Sequence, residues 1–394
     1  MAPQSQPPAK REAEALSGRQ SVTMVSGLPR AAGWIDYATS SAGGLVLGGW
    51  AVVPTRGPFD SLRAYWNGME IARPQMWDRP DLADALYWLP RGADAGFKLS
   101  LEPQLGAGRL DVVGECTGQP VARLSVEFIT PDREAFPLPP DHLAERVSAV
   151  SGEIFRLSGL QCHTDIHDQL RRYLGAQQRV RLLDWGCGCG RVTRYLAANR
   201  MAVATLLGCD IDGEAVDWCR EHLPGHFSKI SPDPPLPYSP GEVDVIIACS
   251  VFTHLGREHQ LRWLDELHRV LTPGGLLIAS VTSEYAFVLH EHRKRSQASA
   301  GSISNRAHAF RAAAWLRVAG FIDRSADPAL AGIAPSGFYR AVFQTRKYTS
   351  RKWRKSFEIV DYIARGLNGH QDLVVMRRRD GEPRVRAAHH LRRR

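Results

Sequence analysis

The chain has 394 residues, 50 lysines and arginines against 41 acidic residues, and a formal net charge of +9. Its length exceeds that of a typical single domain, and a hydrophobic content of 44% suffices for more than one sizeable core. The sequence contains no run of about 18 apolar residues, so we expect no membrane-spanning helix.

The amino terminus is predicted to be a disordered leader covering residues 1–30. Residues 1–19 mix Pro, Gln, Lys and Glu and have no apolar stretch of the kind found in secretory signals. The seven cysteines show no framework spacing, which favours reduced thiols. These features together predict a cytoplasmic protein.

Residues 31–130 have the pattern of a small β-sandwich, because short apolar or alternating runs are separated by turn residues. The predicted strands are Leu45–Val52, Leu62–Trp66, Phe97–Leu101, Arg109–Val113 and Ala122–Val126. Five of the ten tryptophans fall in this region, where their rings could stack on sugars or, more commonly in so small a domain, pack in the core.

A likeness rests on three short elements of this region: Gly33–Asp36, Gly49–Ala51 and Arg79–Asp81. They resemble an accessory module that accompanies some bacterial glycosyltransferases and surface-polysaccharide enzymes. The resemblance implies a domain without an active site of its own.

A proline-rich linker, residues 129–140, is predicted to precede a second domain at 141–376. This domain should begin with two amphipathic helices, Leu143–Leu157 and Thr164–Leu174. His163 and His167 are one helical turn apart, a spacing found in metal sites, but the sequence offers no third ligand beside them. We interpret both as helix-surface residues and predict no metal site.

The most informative stretch is 180–191, in which an apolar run ends in Asp184 and three glycines follow at alternate positions. Gly186, Gly188 and Gly190 would let the backbone approach a ligand at the start of a helix. A dinucleotide loop has its third glycine one residue later, at 191, where this chain has arginine. Asp184 favours a cationic ligand over a phosphate.

The motif Asp184 to Gly190 resembles the first motif of the class I S-adenosylmethionine-dependent methyltransferases. Later segments follow in the family's order: Leu206–Asp212, Val243–Ser250 and Leu271–Ile278. The resemblance implies an α/β fold, a Rossmann-like sheet that is mostly parallel with one antiparallel strand, behind the β-sandwich. It also implies S-adenosylmethionine as the cofactor.

By this resemblance, Asp210 would accept hydrogen bonds from the ribose hydroxyls, and Asp233 lies in a loop that would border the adenine. The expected cofactor-binding residues are Asp184, Gly186, Cys187, Gly188, Gly190, Asp210, Ile211, Asp233 and Cys249. The pair Cys187 and Cys189 could also be half of a metal site, but we interpret both as small residues that fill the loop.

His254 follows the fourth strand of this domain and is the candidate general base, because an oxygen or nitrogen nucleophile must lose a proton when it is methylated. Its alternative role is packing or capping at a helix start. The predicted function is methyl transfer to an oxygen or nitrogen of a small-molecule or carbohydrate-containing acceptor. A nicotinamide oxidoreductase would need a third glycine at position 191, which this chain does not have. The alternative function is a catalytically silent S-adenosylmethionine-binding or carbohydrate-interaction protein.

The carboxyl-terminal part should supply a closing antiparallel pair of strands, Ala341–Gln344 and Asp372–Met376. Residues 377–394 contain eight arginines and two acids, and they are predicted to form a disordered basic tail whose partner would be anionic. Away from this tail the charge is nearly balanced. The sequence therefore argues against a nucleic-acid partner.

Overall fold

The computed structural model describes residues 27–379 except 42–43, 54–55, 87–88, 90, 102–105, 175–178, 199–202, 298–304 and 327–329. Most of the predicted leader and most of the predicted basic tail lie outside the described residues. Within them no helix is long and apolar enough to cross a membrane. The seven cysteines are all described, and all are free thiols.

The amino-terminal region consists of two antiparallel sheets. The first has the order β1-β2-β7-β6, with β3 beside β2, and the second has the order β5-β4-β8-β9. The strands are β1 (Ala32–Ser41), β2 (Gly44–Val53), β3 (Gly57–Pro58), β4 (Ser61–Trp66), β5 (Met69–Ala72), β6 (Gln75–Trp77), β7 (Gly96–Leu101), β8 (Ala107–Cys116) and β9 (Gln119–Ile129). The five strands expected from the sequence are confirmed, and β1, β3, β5 and β6 are additional.

One hydrophobic core lies between these two sheets. It combines Leu47 and Phe97 of the first sheet with Trp66 and Phe128 of the second, and the last two rings meet edge to face at 6.4 Å. A short helix, α1 (Pro80–Ala85), covers one end. Trp66 therefore packs in the core, as the commoner of the two expected tryptophan roles predicts.

The proline-rich stretch after β9 is held firmly by two buried arginines. Arg156 donates to the Ile129 carbonyl at 2.6 Å and to Glu134 at 3.1 Å, and Arg194 donates to the carbonyls of Phe136 and Pro137. Because a buried guanidinium needs such acceptors, the two arginines fasten this stretch to the helices behind it.

The two helices expected between 143 and 174 have different bounds. They are α2 (Asp141–Ser148) and α3 (Gly152–Leu174), and the second is continuous over 23 residues. Every residue of α3 from Phe155 to Ile166 is buried. A helix that is buried on all sides has no apolar stripe, so the sequence pattern missed its middle.

The second part of the chain forms a seven-stranded mixed sheet with the order β12-β11-β10-β13-β14-β18-β17. Four neighbouring pairs are parallel, and β18 is antiparallel to both of its neighbours. Its strands are β10 (Val180–Trp185), β11 (Val203–Asp210), β12 (His226–Lys229), β13 (Val243–Ala248), β14 (Leu271–Val281), β17 (Phe357–Leu367) and β18 (Gln371–Arg378).

Helices and one small strand pair surround this sheet. The helices are α4 (Thr193–Ala198), α5 (Gly213–His222), α6 (Arg257–Val270), α7 (Glu284–Gln297), α8 (Asn305–Ala319) and α9 (Arg346–Trp353). The pair is β15 (Phe321–Ala326) with β16 (Arg340–Gln344).

The expected pairing of 341–344 with 372–376 is wrong. The second segment, in β18, pairs with β14 and β17, whereas the first, in β16, pairs with β15. Asn368 and Gly369 both have positive φ, which makes a tight hairpin between β17 and β18. This local hairpin takes the place that the sequence analysis gave to a more distant strand.

Candidate cofactor and acceptor site

A cleft lies at the carboxyl edge of the parallel strands, where β10, β11 and β13 end. It encloses about 960 Å³, part of which is open to solvent. In open α/β sheets this edge is the usual place for ligands. Eight of the ten residues predicted for the site line the cleft: Asp184, Gly186, Cys187, Gly188, Asp210, Ile211, Cys249 and His254.

The glycine loop joins β10 to α4 with a backbone that only glycine adopts easily. Gly186, Gly188 and Gly190 have φ values of +81°, +53° and +82°. A Cβ at Gly190 would lie 2.5 Å from Leu223 Cδ1, and Gly190 is not among the residues that line the cleft. Gly186 and Gly188 thus border the ligand space, while Gly190 allows the loop to pack against α5.

Asp210 ends β11 and faces the loop. Its Oδ2 accepts a hydrogen bond from the Gly188 N–H at 2.8 Å, and its Oδ1 accepts one from the Asp212 N–H at 2.9 Å. Burial raises the pKa of Asp210, although these backbone donors oppose the shift. The carboxylate is therefore fixed in orientation at the edge of the cleft.

Asp212, two residues later, has a structural task. Its carboxylate caps α5 by accepting from the N–H groups of Glu214 and Ala215, and it forms an ion pair with Arg146 at 2.8 Å. Asp212 also lines the cleft, but its carboxylate is engaged by the helix start and by Arg146, whereas that of Asp210 faces the glycine loop.

Asp184 lies deeper in the cleft and is buried. Thr193 Oγ1 donates to its Oδ2, whereas its Oδ1 has no hydrogen-bond partner among the described residues. Burial raises the pKa of Asp184 to about 7. A buried carboxylate oxygen without a donor fits a ligand that brings an N–H group of its own.

Arg191, the residue that replaces the dinucleotide glycine, also lines the cleft. Its Nη1 donates to Ser158 Oγ on α3 at 3.0 Å. Burial lowers its pKa, but nearby thiols and Asp184 more than compensate, so the guanidinium keeps its charge. The cleft thus contains a charged guanidinium, Arg191, and an acid with a pKa near neutrality, Asp184.

Aromatic rings also line the cleft. The ring of His254 stacks on that of Tyr339, with centroids 3.9 Å apart and planes 12° apart, and Phe338 lies beside them in the lining. His254 Nδ1 lies 3.1 Å from the Arg340 carbonyl oxygen. In the neutral ring that contact assigns the proton to Nδ1, which leaves the lone pair on Nε2.

Asp233 does not line the cleft. Its side chain is 52% exposed and pairs with Arg262 at 2.9 Å. Ile230 and Pro232 of the same loop do line it, so the loop borders the site through apolar residues.

Several lining residues were not predicted from the sequence: Arg146, Arg191, Ser250, Leu330, Phe338 and Tyr339. Ser250 has φ +62° and donates its N–H to Ser280 Oγ at 2.7 Å. Its position directly after an apolar strand was a signal that could have identified it. Tyr339 is 85 residues from His254 in the sequence, and no local sequence pattern predicts that the two rings stack.

Comparison with known families identifies one matching region. Residues 183–279 match a family described as "Methyltransferase domain". The matched region runs from β10 to β14 and includes the glycine loop, Asp210 and His254.

Among characterised relatives, two proteins named "Probable tRNA methyltransferase 9B" match over 115 residues, or 29% of this chain. The mouse protein is 33% identical and the human protein 31% identical. The chain spans about a quarter of the length of these curated relatives, since the match covers 24% of each.

Solved structures with similar chains include an S-adenosylmethionine-dependent methyltransferase from Methanosarcina mazei. It is 19% identical, with a TM-score of 0.38, and the match covers 54% of this chain and 98% of that one. The N-methyltransferase NodS from Bradyrhizobium japonicum, solved with S-adenosylhomocysteine, is 13% identical with a TM-score of 0.34, covering 55% of this chain and 87% of that one.

Proposed function

We propose that this chain, which carries a class I S-adenosylmethionine-dependent methyltransferase domain, transfers a methyl group to an oxygen or nitrogen of a small-molecule or carbohydrate-containing acceptor. The observation that carries the proposal is that one cleft is lined both by two acids, Asp184 and Asp210, and by the stacked rings of His254 and Tyr339. The acids suit the donor, and the rings suit the acceptor.

Asp184, Arg191 and Asp210 fit S-adenosylmethionine. The unpartnered Oδ1 of Asp184 would accept from the cofactor's amino group, and Arg191 would attract its carboxylate. Asp210 retains lone pairs for the ribose hydroxyls besides those that accept from backbone N–H groups. When bound, the cofactor supplies a methyl group made electrophilic by the adjacent sulfonium.

The chain's part in the reaction is alignment and proton removal. The residues of the cleft would place the nucleophilic atom of the acceptor in line with the methyl group that the cofactor would supply, and this alignment would account for much of the rate. His254 Nε2 would take the proton of the acceptor's hydroxyl or amine, because the Arg340 carbonyl holds the other ring nitrogen as the proton donor. Phe338 and Tyr339 would hold the acceptor against this base.

Two observations support the proposed class of acceptor, and one opposes it. The aromatic lining supports a flat or sugar-like ring, and the predicted likeness of the amino-terminal region to modules of polysaccharide enzymes favours a carbohydrate. The names of the mouse and human relatives point instead to tRNA, against the expectation that nucleic acid is not a partner. Total tRNA is therefore included in the test.

The test follows a labelled methyl group from S-adenosylmethionine into a cell extract separated into small-molecule, glycan, protein and tRNA fractions. We expect label in the small-molecule or glycan fraction with the wild-type chain. Asp210→Asn should abolish transfer, whereas Asp217→Asn, on the exposed face of α5, should not.

Calorimetric titration with S-adenosylmethionine separates the alternatives. Binding without transfer to any fraction would support the catalytically silent protein, and label confined to tRNA would overturn the acceptor class. Absence of binding by the wild-type chain would overturn the proposal as a whole.

A further inference from the structure

Three potential metal ligands meet where the amino-terminal sheets contact α3. They are Glu127 on β9 and His163 and His167 on α3, and their ligand atoms all lie within 4.8 Å of one another. His167 Nδ1 is 2.8 Å from Glu127 Oε1, and His163 Nδ1 is 3.4 Å from Glu127 Oε2. The two imidazoles stack with centroids 5.3 Å apart and planes 13° apart.

The geometry follows from the spacing of the residues and from one backbone contact. Residues four apart on a helix lie on the same face, so His163 and His167 point together toward β9. The Glu127 N–H donates to Thr164 Oγ1 at 2.7 Å, which fixes β9 directly over this turn of α3. The sequence predicts both histidines on the helix surface, without a third ligand. In the structure His163 is buried and His167 is 13% exposed, and Glu127 on a strand distant in sequence supplies the third ligand atom.

His163 has no other evident task. Its side chain is 6% exposed, and neither ring nitrogen has a hydrogen-bond partner among the described residues. A buried imidazole whose nitrogens make no hydrogen bond is costly, and an ion bound to one of them would remove that cost.

The surrounding charges accommodate a cation. Arg109 forms a bidentate pair with Asp168 at 2.7 and 2.9 Å, and Arg123 pairs with Asp111 at 2.8 Å. Arg109 Nη1 is also 4.0 Å from Glu127 Oε1, farther than from its bidentate partner Asp168. Each of these two arginines thus has an acid closer to it than Glu127.

We propose that Glu127, His163 and His167 bind one Zn²⁺ ion, with water as the fourth ligand, and that the ion clamps β9 to α3. Two imidazoles and one carboxylate are a ligand set that zinc takes in tetrahedral geometry. Bonds of about 2.0–2.2 Å need small side-chain rotations from the distances seen, which three atoms within 4.8 Å allow. The clamp would lie outside the cofactor cleft, since none of its three ligands lines that cleft.

The experiment uses the untagged full-length chain, stripped with a chelator and then titrated with Zn²⁺ in a calorimeter, with bound metal measured by mass spectrometry. We expect one Zn²⁺ per chain. His163→Gln, His167→Gln and Glu127→Gln should each weaken binding by more than about 100-fold, because loss of a ligand costs more than loss of its supporting partner. His226→Gln, which changes an exposed histidine on β12, is the matched control and should bind as the wild type does.

Cobalt replacement supplies a readout that does not depend on the variants. Co²⁺ in this site should give the visible absorption of a tetrahedral nitrogen and oxygen complex, without a sulfur charge-transfer band. A sulfur band would place the ion on the cysteines and overturn the proposal. Failure of the wild-type chain to bind one equivalent, or binding by the three ligand variants equal to that of His226→Gln, would also overturn it.

Discussion

Asp184 is an acid whose protonation changes near neutral pH, since burial raises its pKa to about 7. A protonated carboxyl attracts a cationic amino group much less than a carboxylate does. The ligand affinity of the cleft should therefore depend on pH in a range where an ordinary aspartate is fully ionised.

We predict that the affinity for S-adenosylmethionine falls as the pH decreases. If the bound form requires ionised Asp184, affinity should drop about fivefold from pH 7 to pH 6 and about tenfold for each further unit. Calorimetric titrations across this range measure the change. Asp184→Asn should bind weakly at every pH with little slope, and an unchanged slope in that variant would assign the effect to another group.

His254 distinguishes an enzyme with a general base from one that relies on alignment alone. We predict that His254→Gln lowers kcat by about 10²–10⁴-fold, the usual contribution of a general base, with little change in cofactor affinity. The control is His226→Gln, which changes an exposed histidine on β12 outside the cleft and should retain activity. If kcat is unaffected by His254→Gln, the stacked ring is a packing residue.

The sequence predicted those site residues that belong to one short pattern and missed those brought in from afar. Gly186, Gly188 and Asp210 follow directly from strand ends and glycine spacing. Tyr339 and Glu127 meet their partners only through tertiary packing, which no local pattern encodes. Asp233 belongs to a loop that borders the cleft, as predicted, but its own carboxylate does not line the cleft because it pairs with Arg262.

At the scale of elements, α3 connects the parts of the fold. Its residues Leu157 and Leu160 belong to the core between the amino-terminal sheets, whereas Ile166 and Leu170 belong to a core under the seven-stranded sheet. Gly159 lies between Leu157 and Leu160, where the Arg191 backbone approaches the helix. Because α3 is buried on all sides in its middle part, amphipathic periodicity does not predict that part.

Gly159→Ala should therefore destabilise the protein. Alanine normally stabilises a helix interior by about 1 kcal/mol over glycine, but here its Cβ would lie 2.4 Å from the Arg191 carbonyl oxygen. Such overpacking costs about 1–3 kcal/mol, so we expect a net loss in the free energy of unfolding.

Urea unfolding of the variant and the wild type measures this loss. Gly213→Ala is the matched control, because its Cβ would meet only the flexible side chain of Lys229, at 3.1 Å. Equal or higher stability of Gly159→Ala would show that α3 can move away from the glycine loop.

At the scale of the whole molecule, the chain divides by sequence into two regions but packs through shared elements. Composition and turn spacing predict two regions, since each has its own pattern of apolar residues. They did not reveal that α3 enters both cores or that Arg156 and Arg194 hold the intervening stretch, because buried arginines look like surface residues in a sequence.

We predict a single cooperative thermal transition in scanning calorimetry. Separating the amino-terminal sheets from α3 would expose Leu157 and Leu160, both fully buried, so partial unfolding should carry a large hydrophobic cost. The ratio of van't Hoff to calorimetric enthalpy checks this expectation. Two resolved transitions would show that the two regions unfold independently.

The segment between β14 and β17 lines the cleft but is separate in sequence from the two acids and the glycine loop. Asp184, Asp210 and the glycine loop all precede β14, whereas Leu330, Phe338 and Tyr339 lie between β14 and β17, where no described residue belongs to a strand of the large sheet. Under the proposed roles of these residues, substitutions or insertions between β14 and β17 would alter the side of the cleft proposed for the acceptor and leave Asp184, Asp210 and the glycine loop in place.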